Sequence, residues 1–245
     1  MKEIVFMYHD VFINKPTESG LASEIYKLKV DEFEGHLSML QELTDGETRP
    51  ILTFDDGGSS FYEPISFLLD KYGFKGRFFI ATKYINTVGF MGREQIKDLY
   101  KRGHLIGSHS HSHPENFAAL DYVSIKNEWE QSVHILSDII NSPITIASIP
   151  NGYQSHNVLF YAKQSGITDL YTSCPTLKTT YFDTMRLHGR FVILSSTGIN
   201  GLRKIIYSSS YRFNLYLKNQ LLMIPKIVLG KKYEPFKNYL FGFKQ

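Results

Sequence analysis

The sequence predicts a single α/β domain: a barrel of parallel strands wrapped by helices. Short apolar runs recur along the chain at a spacing that leaves room for a helix between successive runs. Most of these runs are apolar at nearly every position, as strands covered on both faces require. The length suits one such barrel: 245 residues, 42% apolar and 14% aromatic. About seven strand–helix units fit, so the expected class is α/β with a distorted (β/α)7-type barrel.

The expected strands, in order, are "EIVFMYH", "PILTFDD", "GRFFIAT", "HLIGSHS", "ITIASIP", "DLYTS" and "RFVILSS". Helical periodicity fills 31–43, 60–72, 93–102, 121–140 and 155–165 between them. Asp31 and Asp121 stand where N-caps are expected, and Gly73, Gly103 and Gly166 where helices should stop. In parallel barrels the chemistry gathers at the C-terminal ends of the strands. Those ends carry the polar stretches "YHD", "FDDGG", "SHSHSHP" and "SIPNGY".

Composition narrows the setting. Cys174 is the only cysteine, which rules out an internal disulfide framework and suits a reducing compartment. His9 and Asp10 interrupt the first apolar run, so no secretory signal is read there. "LLMIPKIVLG" is about half of the ~20 residues that span a bilayer. The expected location is the cytoplasm. Residues 201–245 hold nine Lys/Arg and one Glu, leaving the first 200 at about −5 within an overall +3. A nucleic-acid enzyme is more often basic around its chemistry, so no nucleic-acid partner is expected. The expected division is a barrel over 1–200 and a basic, aromatic extension over 201–245. Of the extension, 201–222 reads as a packing helix. "PKIVLGKKYEPFKNYLFGFK" reads as a peripheral contact with the inner membrane face.

Two stretches carry the chemistry. "ILTFDDGGSS" ends a buried strand on Asp55 and Asp56, whose side chains should point to opposite faces and so not share a role. "GSHSHSHPENF" offers His109, His111 and His113. His109 and His113 are four apart, so one helical turn would put both imidazoles on one face while His111 points elsewhere. Two imidazoles and one carboxylate form a ligand set for Zn²⁺ or a related divalent ion, with positions left open for water and substrate. Alone, an acidic pair is more often a turn or cap, and alternating histidines a solvated tract. At adjacent strand ends the two stretches together favour a metal site.

"TFDDG" at 53–57 and "HSHSHP" at 109–114 resemble the first two motifs of the polysaccharide deacetylases, the NodB-type domains of carbohydrate esterase family 4. The second motif reads His-Ser/Thr-x-x-His-Pro, filled by His109, Ser110, His113 and Pro114. The resemblance covers roughly 3–195. It implies a distorted barrel that removes N-acetyl, sometimes O-acetyl, groups from sugars with a divalent metal, Zn²⁺ being the ion expected here. It makes Asp56 the carboxylate ligand beside His109 and His113, and Asp55 the general base. That division is chemically sound, because one carboxylate cannot stay bound to an ion and also accept a proton freely. Gly57 and Gly58 would let the chain turn away and leave the base room.

Two motifs depart from the family pattern. Where the third motif usually supplies an arginine that orients the base, "SIPNGY" has Ser148, with Pro150 and Gly152 kept. A backbone N–H near Asn151 would face the developing oxyanion. The last motif, usually Leu-x-His, aligns with "MRLHGRFVI". It offers His188 as general acid and Arg186 or Arg190 as substitute partner for Asp55. The similarity to a branch with a "YH" first strand favours Arg190. His9 ends the first strand at the face where sites form, so His9, Pro150, Asn151 and Gly152 make the expected substrate-binding set. His36, His104 and His134 read as structural, as does Trp129 in its helix.

The expectation is a metal-dependent N-deacetylase of an acetylated amino sugar in a cytoplasmic glycan pathway, with a lipid-linked intermediate as one candidate substrate. Two alternatives stay open: a hydrolase of the same barrel acting on another small amide, and a catalytically silent glycan-binding protein that kept its metal.

Overall fold

The structure, a computed structural model, describes residues 2–15, 19–43 and 48–229. Its main sheet joins β1 (Lys2–Tyr8), β4 (Thr48–Phe54), β5 (Gly76–Ile80), β6 (Leu105–Ser108), β7 (Ile146–Ser148), β8 (Asp169–Tyr171), β9 (Thr180–Phe182), β10 (Met185–His188) and β11 (Phe191–Val192). A small parallel pair, β2 (Val11–Phe12) and β3 (Leu28–Lys29), lies apart from it. The strand order is β11-β1-β4-β5-β6-β7-β8-β10-β9, parallel throughout except for β9 on β10.

The sheet curls on itself. Val5 of β1, Ile51 of β4, Phe79 of β5 and Tyr171 of β8 share one buried cluster, although β1 and β8 are five places apart in the sheet. Flat pleating could not bring them together. The outer face carries the larger core, packed under the helices. Tyr8 belongs to it, ringed by Phe33 and Phe54. The expected barrel is therefore present as a curled, open one whose edges, β11 and β9, stay unpaired with each other.

Helices α1 (Val30–Gln41), α3 (Arg93–Lys101), α4 (Tyr122–Ile140) and α5 (His156–Gln164) lie where periodicity placed them. The Asp121 side chain accepts from Ser124 N at 2.9 Å, an N-cap, and Gly73, Gly103 and Gly166 follow helices at positive φ. Asp31 is not a cap. Lys29 occupies that position, and Glu32 reaches back to the Lys29 N–H at 3.2 Å, leaving Asp31 in the first turn. The helix expected over 60–72 survives only as α2 (Phe67–Lys71), after a 3-10 turn over Ser59–Phe61 and a wider π turn over Tyr62–Ser66. Pro64 supplies no N–H there, and Glu63 before it is extended (φ −140°, ψ 124°).

The last expected strand, "RFVILSS", shrinks to β11 on the edge beside β1. A hairpin, β9–β10, appears where none was expected. Two further helices, α6 (Gly198–Tyr207) and α7 (Ser209–Leu229), close the described chain. The division expected at residue 200 falls inside α6, whose Leu202, Ile205 and Ile206 join the main core. The peripheral-contact segment from residue 230 onward lies outside the described residues. Among the described residues, no helix is long and apolar enough to cross a membrane.

Candidate active site

β4 ends at Phe54, so Asp55 and Asp56 lie just beyond it and the alternation of a strand no longer governs them. Asp56 has φ 91°, a left-handed conformation that costs a non-glycine residue about 1–3 kcal/mol. The twist brings both carboxylates into one buried site instead of onto opposite faces. Gly58 serves this turn by close approach. A Cβ there would lie 2.0 Å from Asp10 Oδ1, which accepts from Ser60 Oγ at 2.7 Å and Ser19 Oγ at 2.5 Å. Asp10 thus clamps the turn after the acidic pair.

His109 and His113 also meet, but not on a helix. The segment after β6 is a loop, with Ser110 and His113 at φ 62° and 54°. Ser110 Oγ accepts from the His113 N–H at 3.1 Å, closing a tight turn that brings the two imidazole centroids to 5.0 Å. From α4, Glu128 accepts from the N–H groups of His111 and Ser112 at 2.8 and 2.7 Å and from Ser112 Oγ at 2.5 Å. His111 points away, its Nδ1 2.9 Å from Thr82 Oγ1.

Asp56 Oδ1 lies 3.5 Å from His109 Nε2 and 3.4 Å from His113 Nε2, and the three ligand atoms all fall within 4.8 Å of one another. Ligands of a tetrahedral Zn²⁺ at its usual bond lengths stand roughly 3.3–3.5 Å apart, so the set fits a divalent ion. His109 Nδ1 lies 3.1 Å from the Ser148 carbonyl and 2.6 Å from Ser148 Oγ. A proton held on Nδ1 for the carbonyl leaves the Nε2 lone pair facing the site. Burial, then the neighbouring His109, lowers the His113 pKa to about 4, so its imidazole is neutral at pH 7 as a ligand must be. Burial raises Asp56, but the imidazoles of His109, His9 and His113 outweigh it and hold it below the ordinary carboxylate range.

Asp55 sits beside this set and is held by something else. Arg190, fully buried, grips it in a fork, Nη1 to Oδ1 at 2.6 Å and Nη2 to Oδ2 at 2.7 Å. Arg190 Nη1 also donates to Thr53 Oγ1 at 3.2 Å and Nε to the Thr172 carbonyl at 3.0 Å, with the guanidinium over the Phe79 ring. Burial raises the Asp55 pKa, but Arg190 and then His109 bring it below the ordinary value, so the carboxylate is ionised.

The sequence profile of the polysaccharide deacetylases matches residues 43–170, the span that carries Asp55, Asp56, His109, His113 and Ser148. The chain belongs to the polysaccharide deacetylase family. A putative polysaccharide deacetylase of Bacillus subtilis, YxkH, is 29% identical over 133 residues, 54% of this chain and 47% of that one. A chitin deacetylase of Arthroderma benhamiae is 36% identical over 91 residues, 37% of this chain and 24% of that one. The chain thus spans about half or less of the length of these curated relatives. Among solved structures, the Streptococcus pyogenes deacetylase PplD in complex with acetate is similar in fold (TM-score 0.71, 19% identity, 84% of this chain and 98% of that one). So is a de-N-acetylase from Aggregatibacter actinomycetemcomitans (TM-score 0.71, 16% identity, 84% and 100%).

Against that family's pattern, the remaining residues divide. Arg190, which follows β10, stands on Asp55 where the usual third-motif arginine is missing. Ser148, at the vacated position, lies with its Oγ 3.3 Å from Asp55 Oδ1 and so bridges the acid to His109. Arg186 and His188 are not brought to the site. Both are tied to Asp169, His188 Nε2 at 2.7 Å and Arg186 Nε at 2.7 Å, and His188 stacks on Tyr171. His188 registers with Tyr171, level with Ser148, but its imidazole turns to Asp169, which registers with Ile146 two residues earlier on β7. Its Nε2, which a general acid would use, is engaged by that carboxylate.

His9 packs its ring on Tyr26 at 5.0 Å and lies close enough to the acidic pair to contribute to the lowering of both Asp55 and Asp56. Its buried Nδ1 has no hydrogen-bond partner among the described residues. Pro150 is buried; Asn151 (φ 54°) is exposed at the rim and donates from Nδ2 to the Glu115 carbonyl at 3.3 Å, tying this turn to the segment after His113. Gly152 has φ 68°. Trp129 is core, its Nε1–H donating to the Val158 carbonyl at 3.0 Å. Sequence reasoning passed over Glu128, although one signal marked it. It has no Lys or Arg three or four residues away on α4, unlike Glu130, which pairs with Lys126.

Proposed function

We propose that the protein is a metal-dependent N-deacetylase acting on an N-acetylated amino sugar. One observation carries this reading: the free position on Asp55. A carboxylate has about four acceptor positions. On Oδ1 these go to Arg190 and Ser148, and on Oδ2 one goes to Arg190. The remaining Oδ2 position belongs to the oxygen that lies 3.9 Å from His109 Nε2, beside the ligand set. A protein that merely held a metal would have no need of an ionised, oriented acid with one open lone pair there.

Asp56, His109 and His113 would hold the ion. When bound, such an ion lowers the pKa of a water molecule and polarises the acyl oxygen. Asp55 accepts the proton of the attacking water at Oδ2. Arg190 keeps Asp55 ionised until then and fixes its plane, and Ser148 holds Oδ1 in place. In the rim turn Pro150 has no N–H and the Gly152 N–H goes to the Ile149 carbonyl at 3.2 Å, so the N–H that would face the developing oxyanion is that of Asn151, and His9 would line the same mouth. Removal of Asp10, His188 or Arg186 touches none of these proton positions. The lone Cys174 supports a cytoplasmic setting, checked by cell fractionation.

The test is acetate release from N-acetylglucosamine oligomers, with and without chelator. Asp55→Asn should retain metal stoichiometry and lose roughly 10²- to 10⁴-fold in rate, the span of a general base. Asp56→Asn should instead lose metal. An Asp55→Asn protein that comes out metal-free beside a loaded Asp56→Asn protein inverts the assignment, and no acetate from any N-acetylated sugar sinks the reading.

A further inference from the structure

Over the described side chains of α7, up to residue 221, two apolar faces are present and only one of them is packed on the core. Tyr211 and Leu215 pack inward against the main core. At successive turns on the opposite side, Phe213, Leu217 and Leu221 are 59%, 42% and 69% exposed, with Tyr216 beside them. At about 100° per residue these four fall within one arc, and Arg212 and Lys218 flank it on either side. α6 before it exposes Ile199 and Tyr207. Over residues 198–221 the chain carries Arg203, Lys204, Arg212 and Lys218 and no Asp or Glu.

Charge selects what covers this stripe. A second copy would set four cations against four. Residues 230–245 carry four Lys and one Glu, again the same sign. The complement must be anionic and must also accept exposed aromatic and leucine side chains. We propose that the outer face of α7 docks on an anionic lipid surface, with Phe213, Tyr216, Leu217 and Leu221 at the headgroup boundary and the flanking cations among the phosphates. Expected only beyond residue 222, the contact thus falls instead on the earlier turns of α7, over residues 213–221.

The stripe runs into a cavity of about 650 Å³, bounded by Arg212, Phe213 and Tyr216 on one side and by Thr172, Gly189 and Phe191 on the other. Thr172 and Gly189 adjoin Arg190, so this cavity shares a wall with the Asp55–Arg190 pair. Resting on the deacetylase reading, docking there would favour a substrate presented at the bilayer, an N-acetylated sugar carried on a lipid.

Co-sedimentation of the full chain with vesicles of neutral phosphatidylcholine, with and without anionic phosphatidylglycerol, tests the docking. Binding should need the anionic lipid and fall with salt. Arg203→Glu/Lys218→Glu should weaken it at least about 30-fold, and Leu217→Ser/Leu221→Ser roughly 10- to 100-fold. Both variants should keep wild-type circular dichroism and wild-type acetate release from a soluble oligomer. Equal binding to neutral vesicles, wild-type binding by both variants, or a dimer in light scattering that the Leu variant dissolves would overturn the proposal. Vesicle binding without soluble activity would leave docking standing and remove the deacetylase reading instead.

Discussion

Removing the Arg190 guanidinium should cost more stability than the loss of its own packing, because it strands a buried carboxylate. Asp55 and Arg190 are both buried, and the fork between them is two charge-assisted bonds of 2.6 and 2.7 Å. In Arg190→Met the Asp55 charge keeps only Ser148 as a close donor, at 3.3 Å. Breaking a buried pair from one side typically costs about 3–5 kcal/mol. For a domain of this size that corresponds to a fall of roughly 6–20 °C in Tm. Asp55→Leu strands the cation instead and should cost a similar amount. The double variant Asp55→Leu/Arg190→Met removes both charges. Its remaining cost is the unpaired Thr172 carbonyl, about 1–2 kcal/mol, since Thr53 Oγ1 keeps its bond to the Phe6 carbonyl at 2.8 Å. Equilibrium urea unfolding of the three variants and wild type completes the cycle. Strong non-additivity, with the double more stable than either single, is the expected result. Singles within 1 kcal/mol of wild type, or costs that simply add, would refute the idea that this pair is a buried, mutually dependent unit.

Two other outcomes follow from the same geometry. Glu128→Gln loosens the loop that carries the ligand histidines, so metal affinity measured by titration calorimetry should fall about 10- to 100-fold, while His111→Ala, which removes only a side chain turned toward Thr82, should change it far less. Stability should also fall with acid through His36 and His104, each lowered to about 4 chiefly by burial. The unfolded chain takes these protons near pH 6.5 and the folded chain only near 4, so the unfolded state binds more protons between those values. Each histidine therefore contributes stability that is complete above about pH 6.5 and is lost by about pH 4, on the order of 3 kcal/mol. Urea unfolding across pH 4–7 checks this, and His104→Gln should reduce the slope by about one proton.

What the sequence made legible was what depends on composition and spacing. Parallel strands buried on both faces show as unbroken apolar runs, so the barrel could be read directly; ligand types show as themselves, but the choice of Asp56 over Asp55 rested on the family resemblance. What stayed hidden depends on backbone geometry. The His109–His113 pairing uses two left-handed residues, Ser110 and His113, not a helical turn, and nothing in "HSHSH" announces that. The β9–β10 hairpin turns at Asp183, φ 52°, followed by threonine, without the Asn-Gly or Asp-Gly pair that marks such turns. The short α2 was spoiled by one proline inside an otherwise helical pattern.

The exchange between Ser148 and Arg190 shows why motif position and chemical role separate. An acid beside a metal site needs a cation to stay ionised in a buried place, but the requirement is for a guanidinium at a point in space, not at a point in the chain. In a curled sheet several strand ends face the same carboxylate. β7 supplies Ser148, and the turn after β10 supplies Arg190, reaching Asp55 across 135 residues of sequence. Once the arginine enters from the β10 side, the β7 position no longer has to carry a charge. A second guanidinium there would repel the first in the same buried space. A small hydroxyl fits instead, lying 2.6 Å from His109 Nδ1 and 3.3 Å from Asp55 Oδ1, and couples the acid to an imidazole of the candidate metal set. The serine that reads as a lost arginine is therefore what the relocated arginine requires.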